Sequence, residues 1–74
     1  MLLTDLKVGE KAIVERFDDL TVEAVLTDMG CPQGTTIELY HKGLFRGPIS
    51  IKTHTGSILA LRQCDAQQMT MRKS

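Results

Sequence analysis

The hydrophobic pattern of the chain changes from a helical period to a strand period across the nine residues Leu26–Gly34, which we call the hinge segment. Before it, apolar residues recur at helical spacing, and after it they alternate as in a strand. Met29 and Gly30 stand where a helix ends, because glycine adopts the positive φ of a helix terminus at low cost. Pro32 favours the first central position of a β-turn that ends at Gly34. The hinge segment therefore predicts a helix end, a tight turn and a strand start, which are structural roles.

Composition restricts the classes of protein that this sequence can belong to. With 74 residues, 42% of them apolar and 24% charged, residues 1–74 are expected to form one small folded domain. Nine basic and nine acidic side chains cancel, which argues against nonspecific binding to nucleic acid or to an anionic membrane. We find neither a membrane span nor a signal peptide. Cys31 and Cys64 are too few for a disulfide framework, so we expect reduced thiols in a cytoplasmic protein.

One helix is predicted between the first two strands. The first strand candidate, Lys11–Phe17, has a β-branched pair at its centre. Asp18 and Asp19 then supply negative charge at a helix start, and the helix is expected to span Leu20–Met29. Its apolar residues fall at helical spacing, so we expect one stripe to face the core, formed by Val22, Val25, Leu26 and Met29.

The second half of the chain has the pattern of a β-protein. Apolar and polar residues alternate in three runs, centred on Ile37 and Leu39, on Ile49 and Ile51, and on Ile58 to Arg62. A helical turn is predicted to begin at Asp65, which has Gln68 at capping-box spacing. Met69–Met71 then completes the sheet, and residues 72–74 are expected to fray. Five short strands with one short α-helix between the first and second predict a small, partly closed β-barrel.

The spacing of glycine and aliphatic residues resembles that of a known family over nearly the whole chain. The matching positions are Leu3, Leu6, Gly9, Leu26, Met29, Gly30, Gly34, Gly47, Pro48, Ile49, Gly56, Leu59, Ala60, Leu61, Arg62 and Ala66. In this order they are similar to the FeoA family of ferrous iron transport proteins. The resemblance implies an SH3-like β-barrel and a cytoplasmic accessory protein whose partner is the cytoplasmic G-protein part of a FeoB-type membrane transporter. A similar barrel forms the C-terminal domain of iron-dependent repressors. We expect no DNA-binding domain to accompany it here, which favours a role in transport over one in repression.

The sequence departs from the family pattern at three places. Many relatives carry arginine just before the helix leucine, where this chain has Ala24 and Val25. Cys31 stands where an aliphatic residue is common, and a free cysteine packs much like one. The loop before Pro48 often contains proline, an apolar residue and glycine in the family, and here only Phe45 matches, at the apolar position.

No residue pattern predicts catalysis or a bound cofactor. Paired carboxylates, a nucleophile with its base, a P-loop and a dinucleotide fingerprint are all missing from the sequence. Cys31, Cys64, His41 and His54 are the candidate soft metal ligands, but none of them has the spacing of a known metal motif, so we predict no metal site. The alternative function, a transition-metal-binding carrier or a stand-alone metal-responsive regulatory domain, would require these four side chains to converge.

The strongest candidate for a binding site is an apolar loop. Leu44 and Phe45 are large apolar residues in a segment bounded by glycines, and Arg46 follows them. Two conformations stay open: either the pair is exposed and anchors a partner, or Phe45 folds back over the open end of the barrel. We predict that Leu44, Phe45 and Arg46 contact the partner. Self-association through this loop or through the sheet edges is an open alternative.

Overall fold

A computed structural model describes all 74 residues and contains five strands and two α-helices, preceded by a 3-10 turn at Leu3–Asp5. The elements are β1 (Lys11–Phe17), α1 (Leu20–Asp28), β2 (Thr36–Lys42), β3 (Ile49–Thr53), β4 (Ile58–Leu61), α2 (Gln63–Ala66) and β5 (Met69–Lys73). The predicted fold class is confirmed, because five strands are present with one short helix between the first and the second. No helix is long and apolar enough to cross a membrane.

The five strands form one antiparallel sheet in the order β4-β3-β2-β1-β5. Irregular pairing interrupts the register between Val14 and Arg16 of β1 and between Leu39 and His41 of β2. A bulge bends its strand and increases the local twist. Bulges in two central strands therefore help so small a sheet to curve around one core.

The core is aliphatic, with sulfur-containing side chains and no buried aromatic ring. It contains fourteen buried residues: Leu3, Leu6, Ala12, Val14, Leu26, Cys31, Ile37, Leu39, Ile49, Ile51, Leu61, Ala66, Met69 and Met71. Alternation along the strands supplies most of them, as the period of two requires. The N-terminal 3-10 turn adds Leu3, and Leu6 follows it into the core. Each such leucine contributes about 1.5–3 kcal/mol when buried.

Helix α1 begins and ends with capping interactions that its sequence encodes. The carboxylate of Asp19 accepts a hydrogen bond from the backbone N–H of Val22 (3.0 Å), which satisfies one free donor of the first turn. At the other end, the N–H of Cys31 donates to the carbonyl of Leu26 (2.8 Å), and Gly30 has φ +87°. The N–H of Gly30 also donates to the carbonyl of Thr27. This pair of bonds is a Schellman motif, which ends the helix and directs Cys31 into the core.

Two expectations about this region were wrong. The helix ends at Asp28, so Met29 is its C-cap, and Val25 and Met29 are 51% and 44% exposed instead of buried. The helix contacts the barrel through a narrow stripe around Leu26, with Val22 half-buried. The β-turn lies one residue later than predicted: the N–H of Thr35 donates to the carbonyl of Pro32. Because the Schellman motif uses the backbone of Cys31, the turn starts at Pro32, and Gly34 takes its third position with φ +91°.

The C-terminal elements also differ from the prediction. Helix α2 begins at Gln63 and not at Asp65, since the Asp65 carboxylate faces the Arg62 guanidinium (3.2 Å) instead of capping a later turn. Strand β4 ends at Leu61, one residue early. Residues 72–73 do not fray: both belong to β5 and pair with β1.

Candidate partner-binding loop

The loop between β2 and β3 is closed by backbone hydrogen bonds at its base and at its tip. The N–H of Gly43 donates to the carbonyl of Pro48 (2.8 Å), and the N–H of Gly47 donates to the carbonyl of Leu44 (2.9 Å). The second bond encloses a four-residue turn, Leu44–Gly47, with Phe45 and Arg46 at its centre. These two residues and Leu44 form what we call the loop tip.

The base of the loop requires glycine at two positions. A Cβ atom on Gly43 would lie 2.9 Å from the Cα of Gly47, and one on Gly47 would lie 2.9 Å from the carbonyl oxygen of Leu44. Real Cβ atoms do not approach backbone so closely, so the two chain segments can only touch because both residues lack a side chain. The amide of Gln63 donates to the carbonyl of Gly47 (3.3 Å), which ties the base to α2.

The backbone of the loop tip is strained. Phe45 (φ +54°) and Arg46 (φ +62°) are the only two non-glycine residues of the chain with positive φ. Positive φ at both central positions defines a type I′ turn, which Asn-Gly normally occupies. For ordinary L-residues this conformation costs about 1–2 kcal/mol each. Two such residues side by side make the loop tip the place where local sequence and local structure agree least.

The loop tip also contains the most exposed large apolar side chain of the molecule. Leu44 is 82% exposed and Phe45 is 98% exposed. Phe45 therefore does not fold back over the barrel end, and the first of the two conformations left open by the sequence is the one present. Arg46 is exposed and forms no ion pair within the chain. A rigid turn thus presents a leucine, an aromatic ring and a cation to solvent.

The four candidate metal ligands do not meet. Cys31 is buried in the core, and this burial raises the pKa of its thiol, whereas Cys64, His41 and His54 are exposed. No group of three or more His, Cys, Asp or Glu side chains is spaced to hold a metal ion. The converged cluster that a metal carrier would need is not formed by these residues.

Two surface depressions were not predicted from the sequence. One, of about 370 Å³, is polar and contains a single apolar residue; it is lined by Lys11, Thr36, Ile37, Glu38, Lys52, Thr53, His54 and Gly56. The other, of about 130 Å³, lies between α1 and the end of β4 and is mainly apolar; it is lined by Thr21, Val22, Val25, Leu26, Leu61, Arg62 and Asp65. We call the second one the α1 groove. It exists because α1 packs through a narrow stripe and leaves Val25 uncovered.

The charged residues are distributed unevenly along the sequence, which the net charge of zero conceals. Residues 17–38 contain five acidic and no basic side chains, while residues 39–64 contain four basic and no acidic ones. The acidic segment includes α1, and the basic segment includes the loop tip. The charges therefore balance over the whole chain but not within each of these two segments.

The curved five-stranded sheet, its single long helix and its projecting loop define a small SH3-type domain. The sequence model of the FeoA domain matches residues 1–73, so the chain belongs to the FeoA family. This membership implies a role in ferrous iron transport. No curated protein sequence matches the chain.

Solved structures agree with the family. The FeoA protein of Chlorobium tepidum is 26% identical with a TM-score of 0.89 over 99% of this chain and 70% of its own. The zinc complex of Stenotrophomonas maltophilia FeoA, described as a prokaryotic SH3 domain protein, is 25% identical with a TM-score of 0.79 over 96% and 88%. A manganese-bound transcriptional repressor shares the fold alone: it is 18% identical with a TM-score of 0.88 over 99% of this chain and 36% of its own.

Proposed function

We propose that the protein is a small cytoplasmic accessory protein of ferrous iron uptake that binds the cytoplasmic G-protein part of a FeoB-type transporter through Leu44, Phe45 and Arg46. Family membership supports the transport role. The observation that carries the binding role is the loop tip, where a strained turn holds Phe45 98% exposed. The protein acts by binding and not by catalysis.

The loop tip has the physical properties of an anchor. Burying an exposed leucine or phenylalanine side chain contributes about 1.5–3 kcal/mol. The two glycines at the base and the hydrogen bond from Gln63 fix the loop before it binds, so little ordering entropy is lost on docking. Arg46 sits at the edge of the apolar pair, where a charge acts mainly on the rate of association.

Docking would act on the transporter by shifting its conformational equilibrium. A bound protein changes such an equilibrium only by the difference between its affinities for the two states. We therefore expect the affinity to depend on whether the G-protein part holds guanosine di- or triphosphate. A difference of about 1.4 kcal/mol between the binding free energies for the two transporter states would change the ratio of these states tenfold.

The test is a binding titration with the purified G-protein part of the FeoB-type transporter from the same organism. Phe45→Ala is expected to weaken binding by roughly 10- to 150-fold, the equivalent of 1.5–3 kcal/mol. Tyr40→Ala is the matched control, since Tyr40 is a half-exposed aromatic residue outside the loop. The Tyr40→Ala variant should bind the G-protein part with an affinity within about twofold of that of the unmodified chain. Unchanged binding of a folded Phe45→Ala variant would refute the proposed site.

A second candidate, metal carriage or metal-responsive regulation, is favoured by one observation: the Stenotrophomonas relative was solved with zinc. The same titration with anaerobic ferrous iron, and separately with zinc, separates the two candidates. The accessory role predicts partner binding that is independent of the metal. Tight one-to-one metal binding without partner binding would replace it.

A further inference from the structure

The α1 groove has the dimensions and chemistry of a receptor for one aromatic ring. Its volume is about 130 Å³, and an apolar cavity of roughly 150 Å³ accepts a benzene molecule. Val22, Val25, Leu26 and Leu61 supply its apolar surface, and Arg62 and Asp65 also line it. Val25 is 51% exposed, so the groove is open to an incoming side chain.

One unpaired carboxylate lies beside the α1 groove. The two charged residues that line the groove, Arg62 and Asp65, form an ion pair with each other, whereas Asp28 on α1 forms no ion pair with a basic residue of the chain. Asp28 follows Val25 by three residues, which places it beside Val25 on the helix surface. An occupant of the groove would therefore meet an unpaired carboxylate next to the apolar contact.

The loop tip offers the complementary set of groups. Phe45 supplies an aromatic ring that nothing in the chain covers, and Arg46, the next residue, supplies an unpaired cation. The strained turn holds both outward. Ring and cation on one surface match groove and carboxylate on the other in size, polarity and charge.

The two surfaces lie on either side of α2. The amide of Gln63 contacts the carbonyl of Gly47 at the base of the loop, and the neighbouring Arg62 and Asp65 line the groove. In a two-fold dimer each contact is made twice, because residue i of one subunit meets residue j of the other and the reverse. Two surfaces that adjoin the same short helix can satisfy this condition.

We propose that two copies of this chain associate reciprocally, with Phe45 of each copy in the α1 groove of the other and Arg46 beside Asp28. This goes beyond the proposed transport role and does not depend on it. Its regulatory consequence does rest on the proposed function, because Phe45 cannot occupy a groove and a transporter at the same time. Self-association and transporter docking are therefore mutually exclusive.

The test is sedimentation velocity over a range of protein concentrations. The unmodified chain should show a monomer–dimer equilibrium. Val25→Lys places a long cation in the groove and should raise the dimer dissociation constant at least about tenfold. Thr27→Lys is the matched control, because Thr27 is exposed, does not line the groove and lies about 200° round the helix from Val25, so the same added charge should change the constant less than about twofold. Thermal melts establish that each variant is folded.

Mixing variants distinguishes reciprocal docking from other contacts. Phe45→Ala lacks the ring but keeps the groove, and Val25→Lys has the opposite defect, so each alone should be monomeric. Their mixture restores one ring in one groove and should form a one-to-one dimer, weaker than that of the unmodified chain. Raising the salt concentration should weaken all dimers, since Arg46 and Asp28 are solvent-accessible.

Three results would overturn the proposal: a chain that is monomeric at all concentrations, equal dimerisation of Val25→Lys and Thr27→Lys, or a mixture that stays monomeric. The transporter titration separates this outcome from failure of the proposed function. Val25→Lys leaves the loop tip intact and should bind the transporter as the original chain does. Phe45→Ala should lose both interactions.

Discussion

Replacing Phe45 and Arg46 together by Asn and Gly should make the protein more stable and less able to bind. Both residues have positive φ, at about 1–2 kcal/mol of strain each for an ordinary L-residue. Asn-Gly is the preferred pair for a type I′ turn. The added glycine lowers the free energy of unfolding by about 0.4–1 kcal/mol, because it increases the entropy of the unfolded chain. No packing is lost, because Phe45 is 98% exposed, so the net gain is about 1–3 kcal/mol.

Thermal and urea unfolding followed by circular dichroism measure this gain. For a domain of 60–100 residues, a gain of 1 kcal/mol raises Tm by roughly 4–8 °C. Gly56→Ala is a control of opposite sign. Gly56 has φ +89° and nothing within 4 Å of where its Cβ would be, so this change adds backbone strain without a clash. It should lower stability by about 1 kcal/mol.

The Asn-Gly variant separates two claims, that the loop tip is strained and that it is a binding surface. If its stability equals that of the original chain while Gly56→Ala is destabilised, the loop tip is not strained. If its stability rises but transporter binding and dimerisation are unaffected, the strain is present and the loop tip is not a binding surface. Only higher stability together with weaker binding agrees with both claims.

Three further changes test how the fold holds the site. Gly43→Ala brings a Cβ within 2.9 Å of the Gly47 backbone and should cost about 1–3 kcal/mol in a urea titration, whereas exposed surface substitutions leave the midpoint in place. Glu10→Gln should destabilise at neutral pH and not in acid. The N–H of Lys7 donates to the Glu10 carboxylate (2.7 Å) and lowers its pKa, so the stabilisation is present above the ordinary glutamate pKa and lost as the pH falls through the lowered one. Unfolding at several pH values checks this, and a pH-independent difference would contradict it. Asp19→Ala removes the N-cap of α1 and should cost about 1 kcal/mol, a loss that Asp19→Asn should largely avoid.

The arrangement of secondary structure could be predicted because local chemistry and burial agree along most of the chain. Alternation marked the strands, and Asp19 and Gly30 marked the ends of α1 within a residue. The errors arose where one group has two local options. The backbone of Cys31 was available to the β-turn and to the helix cap, and the cap took it. Asp65 was available to cap a later turn and to pair with Arg62, and the pair formed.

The two proposed binding surfaces were less predictable, for two physical reasons. Phe and Arg carry no signal for positive φ, so the strain at positions 45 and 46 appears only when the loop is closed by its neighbours. The α1 groove depends on how α1 rotates against the sheet. A shift of one residue along a helix is about 100°, enough to take Val25 from core to surface, and the apolar pattern alone does not fix the angle that closely.

The strain at the loop tip has to be weighed against the stability of the whole domain. A chain of this length has a total stability of roughly 4–11 kcal/mol, from 0.05–0.15 kcal/mol per residue. Two strained residues at about 1–2 kcal/mol each take a large fraction of that total. Asn-Gly would remove most of the cost, and the rest of the chain would not change, since Phe45 packs against nothing. A feature that costs so much and supports no other part of the fold supports our proposal that the exposed ring and cation at positions 45 and 46 contact a partner outside the molecule.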